Sequence, residues 1–216
     1  MVTEKQALEY FTKEKPSIKI LIFCVIGIIA GLGFLSDGSI WIGLIIIGVC
    51  AVVIYGYKDM KANFPTDEAI DKSFAELTDI KQKEVLSKLD LQQSEMVREP
   101  LNIIGVGKYD YSKQGNDEIV RYNPHTLEIV IFGKKQLIVN EVIVDLTNQK
   151  EYKARTNEFF YQDVIAVSIY DDDDGKKFSI KVHGQTECNV SISDRYIDIA
   201  EEAVKSIRKV LREEKA

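Results

Sequence analysis

The chain has 216 residues, 45% hydrophobic and 29% charged, and its 34 acidic against 28 basic side chains give a formal net charge of −6. An acidic surface repels phosphate backbones, which argues against nucleic-acid binding as the main role. Cys24 and Cys50 fall inside apolar runs and Cys188 stands apart, so no disulfide framework is present and a reducing compartment is implied.

Residues 1–17, with three acidic and three basic side chains, form a short segment expected on the cytoplasmic side. Two apolar runs follow, residues 20–35 and 40–57, separated only by Ser36-Asp37-Gly38-Ser39. A bilayer demands a helix of roughly 18 or more uncharged residues, so residues 18–57 are predicted to be a transmembrane helical hairpin. Lys19 extends the shorter run by snorkelling, and Trp41, Tyr55 and Tyr57 suit the two interfaces. Lys13, Lys15 and Lys19 precede the hairpin and Lys58 and Lys61 follow it, while the connecting loop carries only Asp37. The positive-inside rule therefore puts both termini in the cytoplasm of a multi-pass protein of the cell membrane. A secretory signal peptide fits the first run poorly, because Glu4, Glu9 and Glu14 precede it and a second run follows at once. Gly27 and Gly31 form a small-xxx-small pair for helix packing, against the chain's own second helix or against another copy. No ionisable residue interrupts the middle of either span, which argues against an ion path.

Residues 58–99 are expected to be a helical connector. Its pattern is helical from Thr66 to about Met96, with Ile70, Phe74 and Leu77 on one face and a restart at Thr78-Asp79 before Val85, Leu86 and Leu89. Beyond Pro100 the period falls to about two. Candidate strands are residues 101–106, 117–122, 127–132, 136–146, 159–170, 178–183 and 187–192, with turn residues between them. Residues 194–215 close the chain as a helix with Ile197, Ala200, Val204, Ile207 and Leu211 on one face. Arg208, Lys209, Arg212 and Lys215 are read as balancing the helix dipole on a solvated face, with a headgroup contact as the alternative.

Seven strands and one terminal helix are the order of a pleckstrin-homology-like (PH-like) domain. The segment Glu158-Phe159-Phe160-Tyr161-Gln162-Asp163-Val164-Ile165-Ala166-Val167 is similar to one in bacterial PH-like and GRAM-like domains. Together with Gln136-Leu137-Ile138-Val139 and the terminal helix, it makes the chain resemble uncharacterised bacterial two-span membrane proteins with a C-terminal domain of that kind. The resemblance implies an α+β membrane protein whose residues 100–216 form a PH-like antiparallel β-barrel closed by the C-terminal helix. It transfers no catalytic residue. The basic cluster of phosphoinositide-binding PH domains is missing; Lys134 and Lys135 at one turn and Lys176 and Lys177 on another hairpin are the candidate headgroup contacts.

Other chemistry is absent from the pattern. Asp171-Asp172-Asp173-Asp174-Gly175 fails the EF-hand spacing and reads as a hairpin turn. Gly105-Val106-Gly107-Lys108 fails both the phosphate-loop and the dinucleotide spacing. His183 and Cys188 are too few for a zinc site and are the sole basis for a nucleophilic pair. No enzyme activity, cofactor or metal is therefore expected. The reading is a membrane-anchored binding or regulatory protein whose cytoplasmic domain docks a protein or lipid partner. The alternative is a ligand-sensing effector, of the kind found in defence, whose spans assemble as a homo-oligomer through Gly27 and Gly31 to disrupt the membrane.

Overall fold

The computed structural model of the chain describes residues 1–91, 95–173, 175–183 and 185–214, with 185–187 and 214 described by backbone only. Asp174 and Lys215, named above in a turn and in the terminal helix, lie outside the described residues, as does Gly184, expected as a turn between the last two strands. The chain divides into two compact units, Lys5–Thr66 and a second one made of Met1–Glu4 with Asp67–Ala216.

In the first unit α1 (Glu4–Thr12) leads to α2 (Lys19–Ser36) and α3 (Ile40–Asn63). The two turn back on each other through Gly38, whose φ of 83° lies in the left-handed region that glycine adopts without strain. α2 and α3 are long and apolar enough to cross a membrane, with mean hydropathies of 2.3 and 2.4 over their apolar windows. They pack closely where glycines meet. A Cβ on Gly31 would come within 2.9 Å of Ile47 and 3.1 Å of the Gly43 carbonyl, and one on Gly27 within 2.7 Å of Cys50 Sγ. The remaining faces are bare, with Phe23 73%, Trp41 80% and Tyr55 79% exposed. α3 continues past Tyr57, so Lys58, Asp59 and Lys61 prolong the same helix instead of opening a connector.

In the second unit α4 (Asp67–Lys88) is a single helix. The expected restart at Thr78-Asp79 does not occur, because Thr78 is buried within a continuous stripe of Ile70, Phe74, Leu77, Lys81 and Val85 at helical spacing. The helix also ends at Lys88, short of Met96.

Nine strands follow among the described residues: β1 (Leu101–Gly105), β2 (Tyr111–Gln114), β3 (Val120–Asn123), β4 (His125–Phe132), β5 (Gln136–Val144), β6 (Ala154–Phe160), β7 (Val164–Asp172), β8 (Gly175–Val182) and β9 (Gln185–Ser191). The run expected as one strand over residues 159–170 is broken at residues 161–163, which turn from β6 into β7. The hairpin β2–β3 is an addition whose first strand, polar at Ser112, Lys113 and Gln114, carries little hydrophobic signal. A single 3₁₀ turn (Asp194–Tyr196) precedes α5 (Ile197–Glu214).

The strands form an antiparallel four-stranded sheet in the order β1-β4-β5-β6, a three-stranded one in the order β7-β8-β9, and the β2–β3 pair. Every residue of β4 is buried, so the four-stranded sheet is covered on both faces at this strand, while β6 at its edge is largely exposed. One face, with Val130, Phe132, Leu137 and Val139, shares a core with Phe178 and Ile180 of the second sheet and with Ala200, Val204 and Ile207 of α5. The other carries Leu127, Ile129 and Ile131, and α4 packs there on β5, with Phe74 4.6 Å from the His125 ring. The sheets are not closed into a barrel. They join at one corner, where Val106 N donates to Ser191 O at 2.6 Å beside the Gly105–Ile192 bridge. A Cβ at Gly105 would run into Val190 there, so the glycine answers a close backbone approach and not a phosphate.

The N-terminal residues belong to this second unit. Val2 N donates to Ser73 Oγ at 2.8 Å, Gln149 Nε2 to Val2 O at 2.9 Å, and Gln149 N to Glu4 Oε1 at 2.9 Å.

Candidate functional site

Among the described residues β7 is the outer strand of its sheet, beside β8. Its register skips between Val164 and Ala166, a bulge that leaves Ile165 58% exposed. A cavity of about 840 Å³ opens between residues 164–167 and the face of α5 that carries Lys205, Arg208, Leu211 and Arg212. Helical spacing of three and four puts those side chains in one row. Val164, Val167 and Leu211 are buried in the core beneath the cavity. No lining residue is acidic, so the groove is cationic in a protein whose net charge is negative. Arg208 is not the solvated, dipole-balancing base expected from the sequence: its Nε donates to Val167 O at 2.9 Å, tying the helix to the strand. Lys209 lies outside the groove, 4.0 Å from Glu213.

The lysines singled out from the sequence are distributed differently. Lys134 and Lys135 are exposed at the turn between β4 and β5. Lys176 and Lys177 lie on β8, and each is paired with an aspartate across its own hairpin: Lys176 with Asp171 at 2.9 Å, and Lys177 with Asp172. The cavity that Lys176 lines, with the tilted rings of Tyr109 and Tyr122 4.8 Å apart, is not lined by Lys134 or Lys135. The aspartate run is thus consumed largely in a hairpin, and Gly175 has the positive φ, 111°, that such a turn requires. Gly27 and Gly31 pack against α3, as described above.

His183 and Cys188 occupy unlike surroundings. The imidazole side chain is 73% exposed, with Nε2 3.8 Å from Asp163, whereas Cys188 is buried in the core and burial pushes its thiol well above the usual range. A raised thiol is the opposite of an activated nucleophile. Among the described residues no group of three or more His, Cys, Asp or Glu side chains is placed to hold a metal ion.

Two buried titratable groups escaped the sequence reading. Glu128, in the middle of β4, is 1% exposed; burial and then the neighbouring Glu141 push its carboxyl up to about 8. His125 is pushed down to about 4 by burial. A charged residue inside Leu127-Glu128-Ile129-Val130-Ile131-Phe132 was the available signal for the first. The α4 face is fixed by ions: Arg121, its side chain 2% exposed, bonds Asp71 and Asp117 at 2.8 and 2.6 Å, and Arg195 reaches Asp71 at 3.0 Å.

In comparisons with known proteins, no family model, no curated protein and no solved structure matches the chain.

Proposed function

We propose that the chain is a non-enzymatic, membrane-anchored binding protein, inserted by the α2–α3 hairpin in the cell membrane with both termini cytoplasmic, whose β-rich domain docks a partner. One observation carries this reading: residues before the hairpin, Met1–Glu4, and those after it, Asp67–Ala216, belong to one compact unit. A hairpin that leaves a folded unit and returns to it crosses a bilayer an even number of times. The side chains it exposes, Phe23, Trp41, Val52 and Tyr55, suit lipid and not water, and the flanking lysines orient it.

The PH-like reading of the domain draws support from a four-stranded antiparallel sheet, a three-stranded one and a C-terminal helix, in that chain order. The β2–β3 hairpin is then an insertion between the first two strands of the first sheet. The effector reading gains nothing from Gly27 and Gly31, since α3 already occupies that face.

Membrane sedimentation with alkaline carbonate washing, followed by protease treatment of intact cells and of inverted vesicles, tests the proposal. The chain is expected in the pellet, with an epitope at either terminus cleaved only in inverted vesicles. Recovery in the supernatant, or cleavage of either tag on intact cells, refutes it.

A further inference from the structure

Resting on the membrane-anchored reading, we propose that Cys24 and Cys50 form a dithiol site that lipid peroxyl radicals oxidise to a disulfide inside the bilayer, fastening α2 to α3. The geometry comes from the way the two helices pair. Gly31 and Gly43 lie opposite each other, since a Cβ on either would press on the carbonyl of the other, at 3.1 Å from Gly31 and 2.6 Å from Gly43. Cys24 stands seven residues before Gly31 and Cys50 seven residues after Gly43. Seven residues are about two helical turns, so in an antiparallel pair both cysteines return to the contact faces at one level. There the two thiols meet side chain to side chain, and a Cβ on the intervening Gly27 would come within 2.7 Å of Cys50 Sγ. A disulfide requires a close approach of this kind, with Cα atoms about 4.4–6.8 Å apart.

The medium selects the reaction. Cys24 lies five residues from Lys19 and Cys50 seven from Tyr57, about 8–11 Å inside the residues read as marking the interface. Charging a group in hydrocarbon is costly, which closes the routes that run through a thiolate, exchange with soluble thiols among them. Transfer of neutral hydrogen atoms stays open, and lipid peroxyl radicals carry it out within the acyl layer. One radical breaks the S–H bond of Cys24 homolytically and keeps the hydrogen as a hydroperoxide; a second does the same at Cys50; the electron left on each sulfur then pairs to form the S–S bond. Two thiols and two peroxyl radicals thus give one disulfide and two hydroperoxides, and no charge is created on the way. Both thiols keep a small exposure, 6 and 9%, and Phe23, Val25 and Val49 beside them are open to lipid. Cys188, in the core of the other unit, is the internal reference.

The test uses the full chain in nanodiscs of polyunsaturated phosphatidylcholine, with radicals generated by a lipid-soluble azo initiator, followed by denaturation, maleimide labelling and intact-mass measurement. The untreated chain, with three free cysteines, should take three labels. After oxidation it should take one, at Cys188, with a mass lower by two hydrogens and a peptide linking Cys24 to Cys50 on digestion. α-Tocopherol in the nanodiscs should suppress the loss of labels, and the linked peptide should vanish in a Cys50→Ala variant, whose substitution leaves a small apolar side chain at the contact. The proposal is overturned if three labels remain once the unsaturated acyl chains are consumed, if the link joins two chains, if the thiols end as sulfonic acids, if tocopherol makes no difference, or if Cys188 is lost as fast as the pair. Sedimentation with membranes does not depend on these thiols, so failure here leaves the anchoring reading separately testable.

Discussion

Glu128→Gln is the sharpest perturbation available in the β-rich unit. Glu128 lies across from Ile103 on β1 and Glu141 on β5, and its Oε2 is buried without a hydrogen-bond partner. Burial, with the Glu141 charge second, raises the carboxyl from 4.5 to about 8. As pH rises, the unfolded chain therefore gives up this proton first. The contribution of neutral Glu128 is complete below about pH 4.5 and is lost progressively until about pH 8. Over that interval, 8 − 4.5 = 3.5, at about 1.4 kcal/mol for each pH unit, the loss approaches 5 kcal/mol, with about 3 already gone at pH 7. Glutamine keeps the shape and cannot ionise, but its buried amide lacks an acceptor, at a cost of about 1–3 kcal/mol that does not vary with pH. The variant should thus be less stable than the parent near pH 5 and should gain on it by about 4 kcal/mol between pH 5 and 8. Hydrogen-exchange mass spectrometry of peptides spanning β4 and β5, in the detergent-solubilised full chain and corrected for intrinsic rates, measures the difference. A difference that stays flat across this range would show that Glu128 is ionised in the folded protein and would refute the argument.

Asp71→Ala should loosen the β2–β3 hairpin by about 2 kcal/mol, less than the 3–5 of a fully broken buried pair because Asp117 still holds Arg121. Burial raises the Asp71 carboxyl, but the hydrogen bonds from Arg121 and Arg195 outweigh it and hold the group below 3.8, so its contribution is present above that pH and is lost as pH falls through the lowered value. Unchanged exchange protection across β2–β3 in the variant would exclude the role. Gly31→Leu should force α2 from α3, since even a Cβ meets Ile47 and Gly43. The Cys24 and Cys50 thiols face each other across that interface, so copper-phenanthroline in membranes should consume them within one chain, and the variant should lose this reaction. Cross-linking between chains in the parent would contradict the packing.

What could be read from the residues divides along physical lines. The two apolar helices were legible because a bilayer demands a length and a composition that residues 18–57 meet, and α2 and α3 are long and apolar enough to cross one. Most strands were legible through alternation and turn residues, β1, β4 and β5 among them within one or two residues of their expected bounds. β2, with Ser112, Lys113 and Gln114, pairs with β3 at the surface and shows no burial pattern to find. The expected restart at Thr78-Asp79 is absent because the buried stripe continues through Lys81. Its ammonium is in fact satisfied inside the protein, by Glu151 O at 2.8 Å and by Glu84, so the helical stripe runs through it. The α5 bases were assigned to the dipole because their partner, the β7 edge, is distant in sequence. Arg208 and Val167 stand 41 positions apart, and spacing along one helix carries no information about such a contact.

The position of the groove follows from how the two sheets fail to close. In the four-stranded sheet β4 has no free face: the core covers one side, and the other is buried on the side where α4 packs. Its edge strand β1 is stitched to β9 at Gly105 and Val106, and this uses the far edge of the three-stranded sheet as well. Closure at that corner leaves β6 and β7, joined by the turn at residues 161–163, as the edges not bridged to the opposite sheet among the described residues. α5 approaches the second of these, sharing the core of Val164 and Val167 through Val204, Ile207 and Leu211 and adding the Arg208 bond to Val167 O. A sheet sandwich sealed at one corner and open at the other thus relies on its C-terminal helix to cover the open edge.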